Sequence, residues 1–188
     1  MKRLTIGIVA ALCLAGCGGG GSDPVGKVCD GASTTPPALA ADYAPNFVAQ
    51  WVGFLTVQMN GQSSSDVAEL TVKRSGVNLL STDICPGMPA LVTGSDTFVP
   101  VCFVCPPQKV SGVCDSMVIS FADGTGTLSS LGSQLDVDLT GAVDGCGYHY
   151  DLTMTFANAS RYAAAGVSDA GEPVGLGDAI LQAAARTR

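Results

Sequence analysis

Between Phe47 and Asn158 the chain repeats one pattern, short runs of alternating apolar and polar residues separated by turn residues. In Gln134-Leu135-Asp136-Val137-Asp138-Leu139-Thr140 the three aliphatics fall on one side and the two aspartates on the other, and Tyr148 to Phe156 alternates in the same way. A period of two belongs to strands with one buried and one wet face. Eight such segments can be drawn, at 51–59, 67–73, 77–82, 97–104, 115–121, 125–131, 134–140 and 148–157, with turn signals at Asn60-Gly61, Ser75-Gly76, Cys85-Pro86-Gly87 and Asp123-Gly124. No convincing helical period occurs in this region, and links this short favour antiparallel neighbours over parallel crossovers. The expectation is an all-β domain over 46–158, an antiparallel meander of about eight strands forming a small barrel or sandwich. Closing such a meander removes exposed strand edges, and the interior then fills with side chains or holds one small apolar ligand.

The N-terminus reads as an export signal. Met1-Lys2-Arg3 is a basic start, and Leu4 to Gly16 is an apolar run well short of the roughly 20 residues a membrane-spanning helix needs. It ends in Leu14-Ala15-Gly16-Cys17, which resembles the lipobox of bacterial lipoproteins. That resemblance implies cleavage before Cys17, a lipid on the Cys17 thiol and loss of Cys13 with residues 1–16. It also implies a cell-envelope location, and in a Gram-negative cell the absence of Asp at position 18 points to the outer membrane. Residues 17–45, opening with Gly18 to Ser22 (GGGGS) and rich in small residues, read as a flexible tether with an r.m.s. reach of about 30 Å. Without Lys2 and Arg3 the chain keeps 7 basic residues against 16 acidic ones, hence a net charge of −9. No basic patch is visible, so nucleic acid is excluded as a partner. The membrane is the expected partner, reached through lipid at Cys17.

An exported chain oxidises its thiols, so Cys29, Cys85, Cys102, Cys105, Cys114 and Cys146 read first as three disulfides with 15 possible connectivities. Cys102 and Cys105 are three apart on an expected strand and point to opposite faces, so each should take a different partner. The spacing favours Cys102 or Cys105 with Cys114, around Pro106-Pro107, and Cys85 with Cys146, while Cys29 pins the tether to the domain. Cys102-Phe103-Val104-Cys105 has the form of a redox pair but lacks the helix N-terminus that would activate a thiol. A zinc site with Cys114 and Cys146 lacks a second such pair.

Catalytic signals are sparse. His149 is the sole histidine, and Asp151 two residues on shares its strand face, which makes a general-base pair geometrically available. No Gly-x-Ser-x-Gly elbow accompanies it. Asp136, Asp138 and Asp144 could gather calcium ligands but read first as a solvated acidic face. Asp123-Gly124-Thr125-Gly126-Thr127 lacks the Lys and helix of a phosphate loop and reads as a hairpin turn. Asn158-Ala159-Ser160 has the form of a glycosylation site, which carries little weight in a bacterial chain. The sequence thus calls for no catalytic set, no metal and no cofactor.

Trp51-Val52-Gly53-Phe54 at the head of the first strand, followed by repeated hairpins, resembles a lipocalin-type barrel and implies architecture without a particular ligand. The Ala/Gly-rich segment 159–188 reads as a peripheral tail in which Leu176 to Arg186 could form a short helix. The functional expectation is a non-enzymatic, membrane-anchored binding or envelope-interaction module whose partner is a small apolar ligand or an envelope protein. The alternatives are an envelope hydrolase using His149 with Asp151, and an inhibitor of an attacking hydrolase by analogy with the barrel-shaped membrane-bound lysozyme inhibitors.

Overall fold

The structure, a computed structural model, describes residues 29, 32–110, 114–145, 147–161 and 174–186. Residues 1–28, and with them Cys17, lie outside the described residues, as does Cys146, and the side chain of Cys114 is not described. The strands are β1 (Ala49–Met59), β2 (Gln62–Gly76), β3 (Leu79–Thr82), β4 (Met88–Val92), β5 (Thr97–Pro100), β6 (Phe103–Val104), β7 (Gln108–Val110), β8 (Cys114–Leu128), β9 (Gln134–Gly145), β10 (Tyr148–Arg161) and β11 (Val174–Gly175). One helix, α1 (Leu176–Arg186), follows them.

The expected mostly antiparallel β architecture is present. β1 pairs along its whole length with β2 and on its other side with β10. From β10 the order runs through β9, β8, β5, β4 and β3 back to β2, so eight strands form a ring of hydrogen bonds. β8 runs past β5, and its free edge is taken up in turn by β6 and β7. The two-residue strand β11 pairs parallel to β2 at Ala68 and Glu69.

The sequence pattern decides which residues face inward. Trp51, Leu55, Val57 and Met59 of β1 alternate into the core with Leu135, Val137 and Leu139 of β9 and Leu152, Met154 and Phe156 of β10. Trp51 is fully buried, and its indole N–H donates to the Phe47 carbonyl at 3.0 Å. The Arg161 guanidinium lies 4.9 Å from the Trp51 ring centroid and donates to the carbonyls of Asn46 and Val48. It therefore covers the indole while its own donors are satisfied.

Several local expectations are corrected. Asn60-Gly61 does form the β1–β2 hairpin, with φ of 48° and 74° as a primed turn requires. Ser75-Gly76 does not turn; β2 continues through Gly76, and the chain reverses at Val77-Asn78, where Asn78 takes φ 51°. Nor does Asp123-Gly124 turn. Residues 114–128 form one strand with a bulge between Phe121 and Asp123. The glycines here serve close packing, since a Cβ on Gly124 would lie 2.3 Å from Leu139 and one on Gly126 would lie 2.1 Å from the Phe98 ring. Phe98 in turn meets Phe47 edge to face, with centroids 5.3 Å apart. β4 was not expected, because Pro89 interrupts its pattern; the flanking Met88, Ala90 and Val92 are nevertheless fully buried.

The segment before β1 is held to the sheet over part of the expected tether. Asn78 is buried and donates from Nδ2 to the Ala41 carbonyl at 2.9 Å while its Oδ1 accepts the Tyr43 N–H at 2.7 Å. Asp42 accepts the backbone N–H groups of Asn78 and Ala44 and pairs with Arg74 at 2.6 Å. These contacts, the Asn78 hydrogen bond first, lower the Asp42 pKa from its ordinary value.

The C-terminal segment differs from a peripheral tail. α1 lays Leu176, Ala179, Ile180, Leu181, Ala183 and Ala184 into the core and contacts β1, β2, β7 and β11. Fully burying a Leu or Ile contributes about 1.5–3 kcal/mol. The expected helix signal was there, and its apolar face fills space that the short strands β3 to β7 leave beside the long β1 and β2.

Two disulfides are formed, Cys29–Cys102 and Cys85–Cys105. Cys102 and Cys105 do take different partners, and Cys29 does pin the N-terminal segment. The expected pairings of Cys102 or Cys105 with Cys114 and of Cys85 with Cys146 are overturned. The reason is β4, whose pairing with β5 brings the turn holding Cys85 beside the chain just after β5; the Val101 N–H donates to the Pro89 carbonyl, and Cys105 follows four residues later.

Replacing Cys85 and Cys105 together by Ala should lower unfolding free energy by about 3 kcal/mol, and replacing Cys29 and Cys102 by about 4 kcal/mol, as read from urea melts. Gly126→Ala should cost about 1–3 kcal/mol by overpacking against Phe98 in the same assay. Acid titration of stability should show the Asp42 contribution intact above the ordinary Asp pKa and lost as pH falls through its lowered folded value, a loss absent from Asp42→Asn.

Candidate functional site

The one histidine stands on the outer face of the β9–β10 hairpin. The hairpin register pairs Tyr148 with Gly145 and His149 with Asp144, with Gly147 at φ 81° closing the turn. Residues directly opposite on an antiparallel pair share a face, so the imidazole and the Asp144 carboxylate meet. His149 Nδ1 lies 2.6 Å from Asp144 Oδ1, while Nε2 lies 3.6 Å from Asp151 Oδ1. Asp151 is fully exposed and Asp144 is largely covered, its side chain 21% accessible. The second Asp144 oxygen is buried without a hydrogen-bond partner among the described residues. On the other face Tyr148 and Tyr150 stack, with ring planes 4° apart and centroids 6.0 Å apart.

The sequence joined His149 to Asp151, and the structure puts Asp144 nearer. Asp136 and Asp138, the other two aspartates of the acidic strand face, are engaged elsewhere. Asp138 accepts the Thr155 hydroxyl at 2.8 Å and Asp136 accepts the Asn158 N–H at 2.6 Å. At about 3.4 Å per residue, Asp138 and Asp144 stand about 20 Å apart along β9, so the three aspartates are not brought together. Among the described residues no group of three His, Cys, Asp or Glu is placed to hold a metal ion. Cys17 lies outside the described residues, and four of the six disulfide candidates are paired as given above.

The electrostatics favour a charged imidazole. The hydrogen bond to Asp144 is the largest cause raising the His149 pKa above its ordinary value, and the Asp144 charge adds to it; desolvation opposes them, and the charge and hydrogen bond of Asp151 each contribute less. A general base works best near the operating pH with a free nitrogen toward its nucleophile. Here each ring nitrogen faces a carboxylate, so the group is suited to holding a proton at the surface. The four-residue tip Gly145 to Tyr148 was the signal that could have found Asp144, since a tip closed by Gly145 and Tyr148 sets 144 opposite 149.

No protein-family model matches the chain, and no curated protein matches it. Among solved structures, a Bacteroides fragilis protein provisionally described as an outer membrane protein is similar to it at 12% identity with a TM-score of 0.40. The match covers 65% of this chain and 53% of that one, so the chain spans about half of that protein's length. A likeness this remote assigns no family.

The His149 resonances should titrate above the ordinary histidine value in NMR, and Asp144→Asn should bring the midpoint back toward it. Because the folded pKa is raised, the pair stabilises the fold fully below the unfolded pKa of about 6.5, and that contribution disappears as pH rises through the folded value.

Proposed function

We propose that the chain is a lipid-anchored bacterial envelope protein, attached through Cys17 and, in a Gram-negative cell, held at the outer membrane. Its ringed β domain acts as a non-enzymatic module for binding or envelope interaction. The single observation that carries the binding half of this reading is the filled interior. Trp51, Phe47, Phe98, Phe121 and Phe156 are fully buried together, and α1 packs on the same core. Recognition on this reading belongs to the outer surface and its crevices. The anchoring half rests on Leu14-Ala15-Gly16-Cys17 and the apolar run before it. Several acyl chains at about 0.8 kcal/mol per buried methylene give stable attachment to a bilayer.

One observation favours a second reading. The 2.6 Å contact of His149 with Asp144 has the form of an acid-oriented histidine in a hydrolase. The carboxylate facing its other nitrogen weighs against that use.

Metabolic labelling with palmitate, followed by detergent-phase partitioning, tests the anchor. The full chain should carry label and enter the detergent phase, and Cys17→Ser should do neither; label that persists in Cys17→Ser would sink the anchor assignment. A screen against ester and peptidoglycan substrates tests the module. Turnover that disappears in His149→Ala would replace the binding reading with the hydrolase one.

A further inference from the structure

Where α1 meets the turn after β3 the surface opens into a cavity of about 180 Å³. Its floor is apolar, made by Ile84, Ile119, Leu181 and the Cys85–Cys105 disulfide, and two carboxylates, Asp83 and Asp178, stand on its lining. At about 30 Å³ per water this is room for about six waters, which is the size of one linear side chain and far below a drug-sized site. The Cys85–Cys105 bond and the first turns of α1 both contribute to this lining. Gly177 sits so close to the Ile84 carbonyl that a Cβ there would lie 2.6 Å from it, which keeps the first turn of α1 seated against the β3–β4 turn.

Charge selects the occupant. Two formal negative charges outweigh the roughly half positive charge of a helix N-terminus, so the cavity favours a cation over an anion. Asp83 uses one oxygen to accept the Thr71 N–H at 2.7 Å, and Gln108 donates from Nε2 to the Pro106 carbonyl at 3.1 Å, leaving its amide oxygen to accept. Lys109, next to Gln108 on β7, is exposed and does not contribute to the lining. An excess of acidic over basic residues across the chain adds long-range attraction for cations.

We infer that this cavity binds a linear primary alkylammonium group, with the ammonium between Asp83 and Asp178 and the methylenes on Ile84, Ile119 and Leu181. The inference rests on the binding reading above and names its ligand chemistry. A lysine side chain of a polypeptide and a free amine share that chemistry.

The test is ligand-observed saturation-transfer NMR on the full chain in detergent micelles, with n-butylammonium, n-butanol and butyrate as probes. Butylammonium should bind saturably with a Kd of about 1 mM, which asks of five heavy atoms about half the ceiling efficiency of the smallest ligands. Butanol should bind at least about tenfold more weakly and butyrate more weakly still, because each lacks the charge-assisted hydrogen bond. Asp178→Asn, an exposed change that leaves the thermal melt in place, should weaken butylammonium about tenfold. Nα-acetyl-lysine-N-methylamide binding as well as butylammonium would assign the source to a polypeptide, and much weaker binding would assign it to a free amine. Equal binding of butanol and butylammonium, or an unchanged Kd in Asp178→Asn, would overturn the inference. If butylammonium fails to bind while the substrate screen is also negative, the amine is rejected and the non-enzymatic reading stands; turnover in that screen rejects the latter instead.

Discussion

The structure depends on β1 finding a hydrogen-bonded neighbour on both sides. Its eleven residues pair with β2 along one edge and with β10 along the other, which joins the first and last long strands of the meander. Without that seam the sheet would end in two long edges, each an open template for another strand. With it, the alternating apolar faces of β1, β2, β8, β9 and β10 all turn toward one core. The contacts around Trp51 reinforce the same seam, since Arg161 at the end of β10 covers the indole and binds carbonyls just before β1. The strands between β2 and β8 are short, and the space they leave is taken by α1 and closed by the Cys85–Cys105 bond.

Much of this fold was legible because burial on one face writes a period of two into the residues. The segments at β1, β9 and β10 were found that way, as was the Asn60-Gly61 hairpin. The failures share a cause. Glycine has two uses, turning a chain and letting a neighbour come close, and sequence does not separate them. Gly124 and Gly126 have the sequence signature of the first use and serve the second, against Leu139 and Phe98. Pro89 hid β4, and with β4 hidden the pairing of Cys85 with Cys105 could not be found. Disulfide partners follow from which turns the strand order stacks together, a long-range property that spacing along the chain does not carry.

The candidate site was half legible. His149 stood out because it is alone, and Asp151 followed from strand periodicity. Asp144 is its partner across the hairpin, and finding it required the register of a four-residue tip. The carboxylates beside α1 were out of reach of sequence, since Asp83 and Asp178 are separated by most of the domain and meet one cavity only because the C-terminal helix folds back onto the β3–β4 turn. The helix itself was visible in Leu176 to Arg186. That it belongs to the core was not, because an apolar stripe on a short terminal helix does not say which surface it covers.

The Cys29–Cys102 bond also sets a leash length. Counted along the chain, twelve peptide units separate Cys17 from Cys29, a contour of at most about 40 Å. If the bond opens, the next residue held by a side-chain hydrogen bond to the sheet is Ala41, bound by Asn78, and the same measure doubles to about 80 Å. For a chain anchored at Cys17, one sulfur–sulfur bond therefore decides how far from the bilayer the domain can travel. With the bond closed, such an anchor would draw the stretch around Cys102 toward the membrane rather than the start of β1.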